Sequence, residues 1–241
     1  MLRLTVLACF LVASTTAATT CAAPPVILGD AITVQASSAS GTASLVIPVA
    51  SLTVLGDTAD FRFPQPPASH ILLIADGGTA EIAILSGLNV EFTGESSIRL
   101  GFDAYAGSSA TQFTITSGKL SRTQTPAAFA GANASVVFHD VNLNGGSFNG
   151  SYVFPSPPIM VEYAYGAFYN DNSPLAPSVG FLLAPLYLNF NHVALGEGRF
   201  PASGDLVPFD QPVNQFHAAF SFTLSAFDSA RANSLYTITP S

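Results

Sequence analysis

Apolar and polar residues alternate in the segment Leu88-Asn-Val-Glu-Phe-Thr93 and again in the segment Ile98-Arg-Leu-Gly-Phe-Asp103. A period of two residues sends successive side chains to opposite faces of an extended chain, which is typical of a half-buried β-strand. The same pattern, rich in Val, Ile, Thr, Phe and Tyr, recurs from residue 32 to residue 239. It predicts short strands throughout, with separate strands at residues 81–85 and 88–93.

Turn-forming residues separate the predicted strands. Asp76-Gly77-Gly78 and Asn144-Gly145-Gly146 each predict a tight hairpin, because the Asp-Gly and Asn-Gly pairs supply the positive φ angles that these turns need. Residues 126–132 could form at most a short turn of helix. The sequence therefore predicts an all-β, antiparallel β-sandwich or jelly-roll-like fold with little or no helix, in a single domain at residues 23–241.

Two further features bear on the strands. Prolines cluster at residues 64–67, 155–158, 174–177 and 208–212, and we expect loops there because proline cannot donate to a strand ladder. Val161, Tyr163 and Tyr165 alternate with smaller residues, which predicts a bulky ladder on one strand face that enters the core.

The first 22 residues read as a secretory signal peptide, with one basic residue, a short apolar run and small residues before the cleavage point. We therefore expect a secreted or cell-surface protein, from a bacterial host, with no membrane span in the mature chain. Both cysteines, Cys9 and Cys21, fall in this leader, so the mature chain is expected to lack an internal disulfide. Cys21 as the lipidated first residue of a bacterial lipoprotein is the alternative.

Composition and charge exclude some classes of function. The chain is 49% hydrophobic and 9% charged, which is typical of a folded protein, and its net charge of -8 excludes nucleic acid as a partner. The four histidines, His70, His139, His192 and His217, lack zinc-site spacing and are expected at strand ends or on the surface. Glu91 and Glu95 are about 13 Å apart in an extended chain, an awkward separation for a catalytic pair. An enzyme is therefore the less favoured class.

One motif has the spacing of metal ligands. Asp140-x-Asn142-x-Asn144-Gly145 resembles the start of a calcium loop, although an EF-hand would need Glu where Ser151 stands. Asp140 is the sole acid in this window, so we expect no high-affinity calcium site and no other cofactor. The alternative is a strand end in which Val141 and Leu143 point into the core.

Four segments carry a resemblance to a group of known sequences: Gln112-Phe-Thr-Ile-Thr-Ser117, Ala128-Phe-Ala-Gly-Ala-Asn133, Val141-Asn-Leu-Asn-Gly-Gly-Ser147 and Phe220-Ser-Phe-Thr-Leu-Ser-Ala-Phe-Asp228. With them the chain resembles uncharacterised bacterial secreted proteins of the PEP-CTERM-associated kind. The resemblance implies an exported β-sandwich in surface or matrix material, and it assigns no catalytic residues. Residues 234–241 lack the Pro-Glu-Pro motif of that group, so we expect the sorting tail to be absent.

Three functions remain open at the level of sequence. The first is an exported, non-enzymatic structural or interaction module of the cell surface or extracellular matrix. The second is a polysaccharide-binding or polysaccharide-active protein, for which Tyr105, Tyr152, Tyr169 and Tyr187 could stack on sugars. The third is a calcium-stabilised adhesive domain. The expected partner is accordingly an extracellular protein or polysaccharide.

Overall fold

The structure, a computed structural model, describes residues 23–63, 70–125, 128–156, 159–170, 178–188, 192–209 and 212–240. The predicted leader with both cysteines lies outside the described residues. The proline loops predicted at residues 64–67 and 174–177 also lie outside them.

Nineteen strands account for most of the described chain. In chain order they are β1 (Val26–Ser38), β2 (Gly41–Ile47), β3 (Thr53–Leu55), β4 (Thr58–Arg62), β5 (Ile71–Ile74), β6 (Glu81–Thr93), β7 (Ser97–Ala106), β8 (Thr111–Thr125), β9 (Ala128–His139), β10 (Gly146–Gly150), β11 (Tyr152–Ser156), β12 (Ile159–Tyr163), β13 (Tyr165–Tyr169), β14 (Ser178–Leu182), β15 (Leu186–Leu188), β16 (Val193–Phe200), β17 (Val207–Phe209), β18 (Val213–Leu224) and β19 (Ser229–Pro240). A short 3-10 helix, Val49–Ser51, follows β2. In the described part of the chain, no helix is long and apolar enough to cross a membrane.

The strands form two large antiparallel sheets and one small hairpin. Sheet A has the order β14-β13-β18-β8-β1-β2, with β10 also pairing with β18, and β15 pairing with β10. Sheet B has the order β16-β9-β19-β7-β6-β4-β3, with β17 beside β9 and β5 beside β6. The β11–β12 hairpin pairs only with itself among the described strands. Central strands of both sheets thus come from distant parts of the sequence.

Stacked phenylalanines join the two sheets. Phe222 of sheet A stacks on Phe102 of sheet B, with ring centroids 5.0 Å apart and planes at 9°. Phe113 and Phe148 lie against Phe222 at 5.3 and 4.9 Å, and Phe220 meets Phe102 edge-on at 5.1 Å. These rings are buried and belong to one apolar cluster shared by both sheets. The predicted all-β sandwich is therefore confirmed.

The β11–β12 hairpin lies in the chain between β10 and β13, which pair one after the other with the same edge of β18. The point where the chain leaves sheet A after β10 and returns to it before β13 is called the crossing. Ser221 of β18 holds both sides of the crossing, because its carbonyl oxygen accepts the Ser151 N–H at 3.0 Å and its own N–H donates to the Ala164 oxygen at 2.8 Å. Gly150 allows the close approach, since a Cβ there would lie 2.1 Å from the carbonyl carbon of Tyr163. The hairpin thereby carries Tyr152 onto the outer face of sheet A.

The ladder expected from Val161, Tyr163 and Tyr165 is wrong. Tyr163 ends β12 and stacks on Phe181 with centroids 6.5 Å apart. Tyr165 begins β13, is fully buried, and packs on Phe220 at 4.9 Å. Because the chain bends between the two strands, Tyr163 is half-buried, and Tyr165 is the one of the two tyrosines that has the predicted core position. The Val161 side chain lies outside the described part of the structure.

Three local predictions are also corrected. The strands expected at residues 81–85 and 88–93 form one strand, β6, which continues through a register shift between Leu85 and Gly87. The segment 126–132, for which the sequence allows at most a short turn of helix, is strand β9 from Ala128 onward, because it pairs with the long strand β19. Pro155 and Pro208 lie in β11 and β17, two short strands that have only one described neighbour each, where a missing N–H is tolerated.

The two predicted hairpins differ in outcome. Asp76-Gly77-Gly78 joins β5 to β6 with Gly77 at φ +73°, as expected. Asn144-Gly145 also contains a positive φ, +87° at Gly145, but it connects β9 of sheet B to β10 of sheet A. The hairpin predicted there is therefore wrong, and the segment is a corner between the sheets.

Candidate functional site

Two bulges meet on the outer face of sheet A, one on each side of β8. Between β1 and β8, residues 29–31 stand opposite Gly118 alone. Between β8 and β18, residues 117–119 stand opposite His217 and Ala218. A Cβ on Gly118 would lie 2.5 Å from a backbone oxygen of β1, so the bulge depends on glycine. Together the bulges interrupt the regular sheet surface and open a depression.

An aromatic wall closes one side of this depression. Phe168 and His217 stack with ring centroids 5.1 Å apart and planes at 18°, and Tyr152 meets Phe168 at 5.5 Å. Burial, together with the Lys119 cation, lowers the pKa of His217 to about 4. The imidazole is therefore neutral at pH 7, and its unprotonated nitrogen can accept a hydrogen bond from a ligand.

We name this site the outer cleft. It has a volume of about 390 Å³ and is lined by Asp30, Thr33, Thr116, Lys119, Tyr152, Phe168 and His217, among others. Among the described residues, neither Asp30 nor Lys119 takes part in a salt bridge. A cleft of this size, with a few free polar groups against an aromatic surface, has the character of a small-ligand site.

The residues of the calcium motif lie in the corner between the sheets. Asp140 Oδ2 accepts the Gly145 N–H at 3.0 Å, and Asn142 Oδ1 accepts the Asn144 N–H at 3.2 Å. Asn144 thus takes part in this network only through its backbone N–H, and its side chain is exposed. The structure brings these residues together as a self-capped loop, because their side-chain oxygens already bind backbone N–H groups.

The residues that are buried in this corner are the opposite of those that a strand end would bury. Asp140 is 2% exposed, whereas Val141 and Leu143 are 49% and 46% exposed. Leu143 has a φ of +61°, so the chain is not extended there. The expectation that Val141 and Leu143 point into the core is therefore wrong, because the chain turns to change sheets and Asp140 faces inward.

Sequence reasoning missed a second carboxylate in the corner. Asp228 is fully buried, accepts the Val141 N–H at 3.2 Å, and is hydrogen-bonded to the Ser225 hydroxyl. Its burial raises its pKa, and the Asp140 charge adds to the rise. We name Asp140, Asn142, Ser225 and Asp228 the corner cluster. No local signal marks Asp228, because its partner Val141 is 87 residues away.

Calcium is expected to give no heat in a calorimetric titration and no change in melting temperature. Three of the four oxygens of Asp140 and Asp228 already accept hydrogen bonds, and the described residues contain no group of three or more acidic, His or Cys ligands. Asp140→Ala should instead lower the free energy of unfolding by about 1–3 kcal/mol, because the Gly145 N–H loses its acceptor. Micromolar calcium binding that disappears in Asp140→Ala would contradict this expectation.

The other sequence candidates are dispersed. Tyr152 reaches the outer cleft, but Tyr169 is 7% exposed and Tyr187 is 69% exposed. Glu91 forms salt bridges with Arg62 and Arg99, and Glu95 accepts the Thr123 N–H at 2.7 Å. The two glutamates therefore form no joint site.

The placement expected for the histidines is wrong for His217. It lies in the middle of β18, 9% exposed, because Phe168 stacks on it and Tyr152 packs against Phe168 on that part of the outer face. No protein-family model, curated protein or solved structure matches the chain. The outer cleft and the corner cluster are therefore interpreted from their own geometry.

Proposed function

We propose that the protein is an exported, non-enzymatic interaction module of the cell surface or extracellular matrix, and that its ligand binds in the outer cleft. The observation that supports the proposal is the cleft itself, in which Asp30 and Lys119, free of salt bridges to described residues, face an aromatic wall. Export is supported by the leader-like residues 1–22 and by the resemblance to bacterial secreted proteins.

A polysaccharide is the ligand class that the chemistry of the cleft favours. A sugar ring presents apolar C–H groups on its faces and hydroxyl groups at its edge. Tyr152, supported by the buried ring of Phe168, offers ring surface to the apolar groups, while Asp30 can accept hydrogen bonds from hydroxyls and Lys119 can donate to them. The opposite charges of Asp30 and Lys119 balance each other, which suits an uncharged sugar unit.

The cleft is tested by filling it. Thr33 faces Thr116 across β1 and β8 in the cleft, so Thr33→Phe places a large ring in the space for the ligand. Titration with a panel of neutral and acidic mono- and disaccharides, followed by NMR chemical shifts, should show binding of a neutral sugar by the natural chain. We expect at least about tenfold weaker binding in Thr33→Phe, which corresponds to about 1.4 kcal/mol.

Gln35→Phe is the matched control. Gln35 is the next outward-facing residue of β1 and lies outside the cleft, so this variant adds the same ring to the same strand and should bind normally. Absence of saccharide binding in the natural chain, or equal weakening in both variants, would contradict the proposal. Binding of acidic sugars alone would contradict the preference for an uncharged ligand.

A further inference from the structure

A line of five polar side chains and one glycine crosses the outer face of sheet B. We name it the polar row, and it consists of Arg62, Asn89, Gly101, Asn233, Ser135 and Glu197. Each member stands directly opposite the next one across a strand pair, so the row contains one residue from each of six neighbouring strands. With strands about 4.8 Å apart, the row is about 24 Å long.

The centre of the row is a depression with two free carboxamides. A Cβ on Gly101 would lie 2.5 Å from Oδ1 of Asn233 and 2.6 Å from Oδ1 of Asn89, so both amides converge over the glycine. A groove of about 670 Å³ surrounds them. Neither amide side chain hydrogen-bonds to any residue that the structure describes. Each can therefore both donate and accept hydrogen bonds with a ligand.

The charges on this face balance each other. Its arginines are Arg62, Arg99, Arg199 and Arg231, and the remaining described arginine, Arg122, is buried. Salt bridges with N–O distances of 2.6 to 3.6 Å join Arg62 to Asp60 and Glu91, Arg99 to Glu91, and Arg231 to Asp103. Arg199 and Glu197 form no salt bridge with described residues, but they add one charge of each sign, so the face has little net charge. Such a face offers little net attraction to a charged polymer, and its free amides offer hydrogen-bonding groups to an uncharged one.

We infer that the polar row binds an extended, uncharged polysaccharide that lies across the strands of sheet B. The hydroxyl groups of successive sugar units replace the water at Asn89, Asn233 and the flanking side chains. One sugar unit lies in the groove over the two amides, which converge above Gly101. This site is separate from the outer cleft, because the cleft lies on the outer face of sheet A and the row lies on the outer face of sheet B.

Length dependence is the first measurement. Linear neutral oligosaccharides of glucose, mannose and galactose, from disaccharide to hexasaccharide, are titrated calorimetrically into the Thr33→Phe protein, in which the outer cleft is filled. For at least one series we expect the affinity to rise with length, and to be insensitive to salt because the ligand is uncharged. Failure of every neutral series to bind would overturn the inference. Stronger, salt-sensitive binding of alginate, an acidic comparator, would overturn it as well.

The amides are the second measurement. Asn89→Ala/Asn233→Ala should weaken binding of the hexasaccharide by about 30-fold, because two hydrogen-bonding groups are lost. Thr93→Ala/Thr237→Ala is the matched control, since these threonines are four residues further along the same strands, on the same face and outside the row. Equal affinity in the two double variants would overturn the inference. Because the filled cleft is present throughout, failure here is distinguishable from failure of the outer cleft.

Discussion

Gly150→Ala is expected to lower the free energy of unfolding by about 4 kcal/mol, or to prevent folding, although it adds a single methyl group. The added Cβ would lie 2.1 Å from the carbonyl carbon of Tyr163 and 2.5 Å from the nitrogen of Ala164. These are backbone atoms, and the backbone is held there because Ser221 hydrogen-bonds to Ser151 on one side and to Ala164 on the other. Relief of the overlap must therefore break at least one bond of the crossing.

Thermal unfolding measures this effect, and a loss of about 10 °C is expected for a chain of this size. Gly78→Ala is the control, because the nearest atoms to a Cβ there are 3.6 Å away and its φ is not positive. It should change the melting temperature little. A Gly150→Ala protein as stable as Gly78→Ala would show that the two chain segments are not in close contact at the crossing.

Phe222→Ala is expected to cost about 3–5 kcal/mol of unfolding free energy, measured by denaturant titration. Its ring is fully buried and stacks on Phe102, Phe113 and Phe148, so that truncation leaves a cavity at the centre of the contact between the sheets. The surrounding rings come from three different strands and from both sheets. They cannot all move inward without disturbing those strands, and the cavity therefore persists.

Phe227→Ala is the matched control for the same substitution. Phe227 is 45% exposed, lies after β18, and should change the stability by no more than about 0.5 kcal/mol. Phe222→Leu retains much of the buried volume and should fall between the two variants. A loss of less than about 1 kcal/mol in Phe222→Ala would show that the core collapses around the missing ring.

The sandwich could be predicted because alternating burial is a local property of the sequence. The segment 88–93 alternates buried and half-buried residues within strand β6, and Asp76-Gly77-Gly78 is a hairpin, since both depend on residues close in the chain. The direction of the corner at Asn144-Gly145 could not be predicted in this way. Gly145 supplies the positive φ that the sequence indicates, but whether the next strand pairs with β9 or joins the other sheet depends on distant strands.

The candidate sites depend even more on contacts between distant residues. Alternation in β18 places Phe216 and Phe220 in the core and therefore sends His217 outward. What buries His217 is Phe168, on a strand that precedes β18 by more than forty residues. Asp228 likewise lies beside Asp140 only in the folded chain, because the two residues are far apart in the sequence. Of the four tyrosines that the sequence offers for sugar stacking, only Tyr152 lines the outer cleft, because its place there depends on the fold.

The strand order also fixes when the protein can fold during its synthesis. In sheet A, β8 needs β18 as a neighbour, and the Ser117 hydroxyl binds an N–H 101 residues later, at Ala218. In sheet B, β7 needs β19, and Ser234 binds the Leu100 carbonyl across 134 residues. A nascent chain that has reached β17 therefore lacks a central strand of each sheet. Closure of both sheets is a late, slow and cooperative event that waits for β18 and β19 to leave the ribosome, and the earlier strands must remain unaggregated until then.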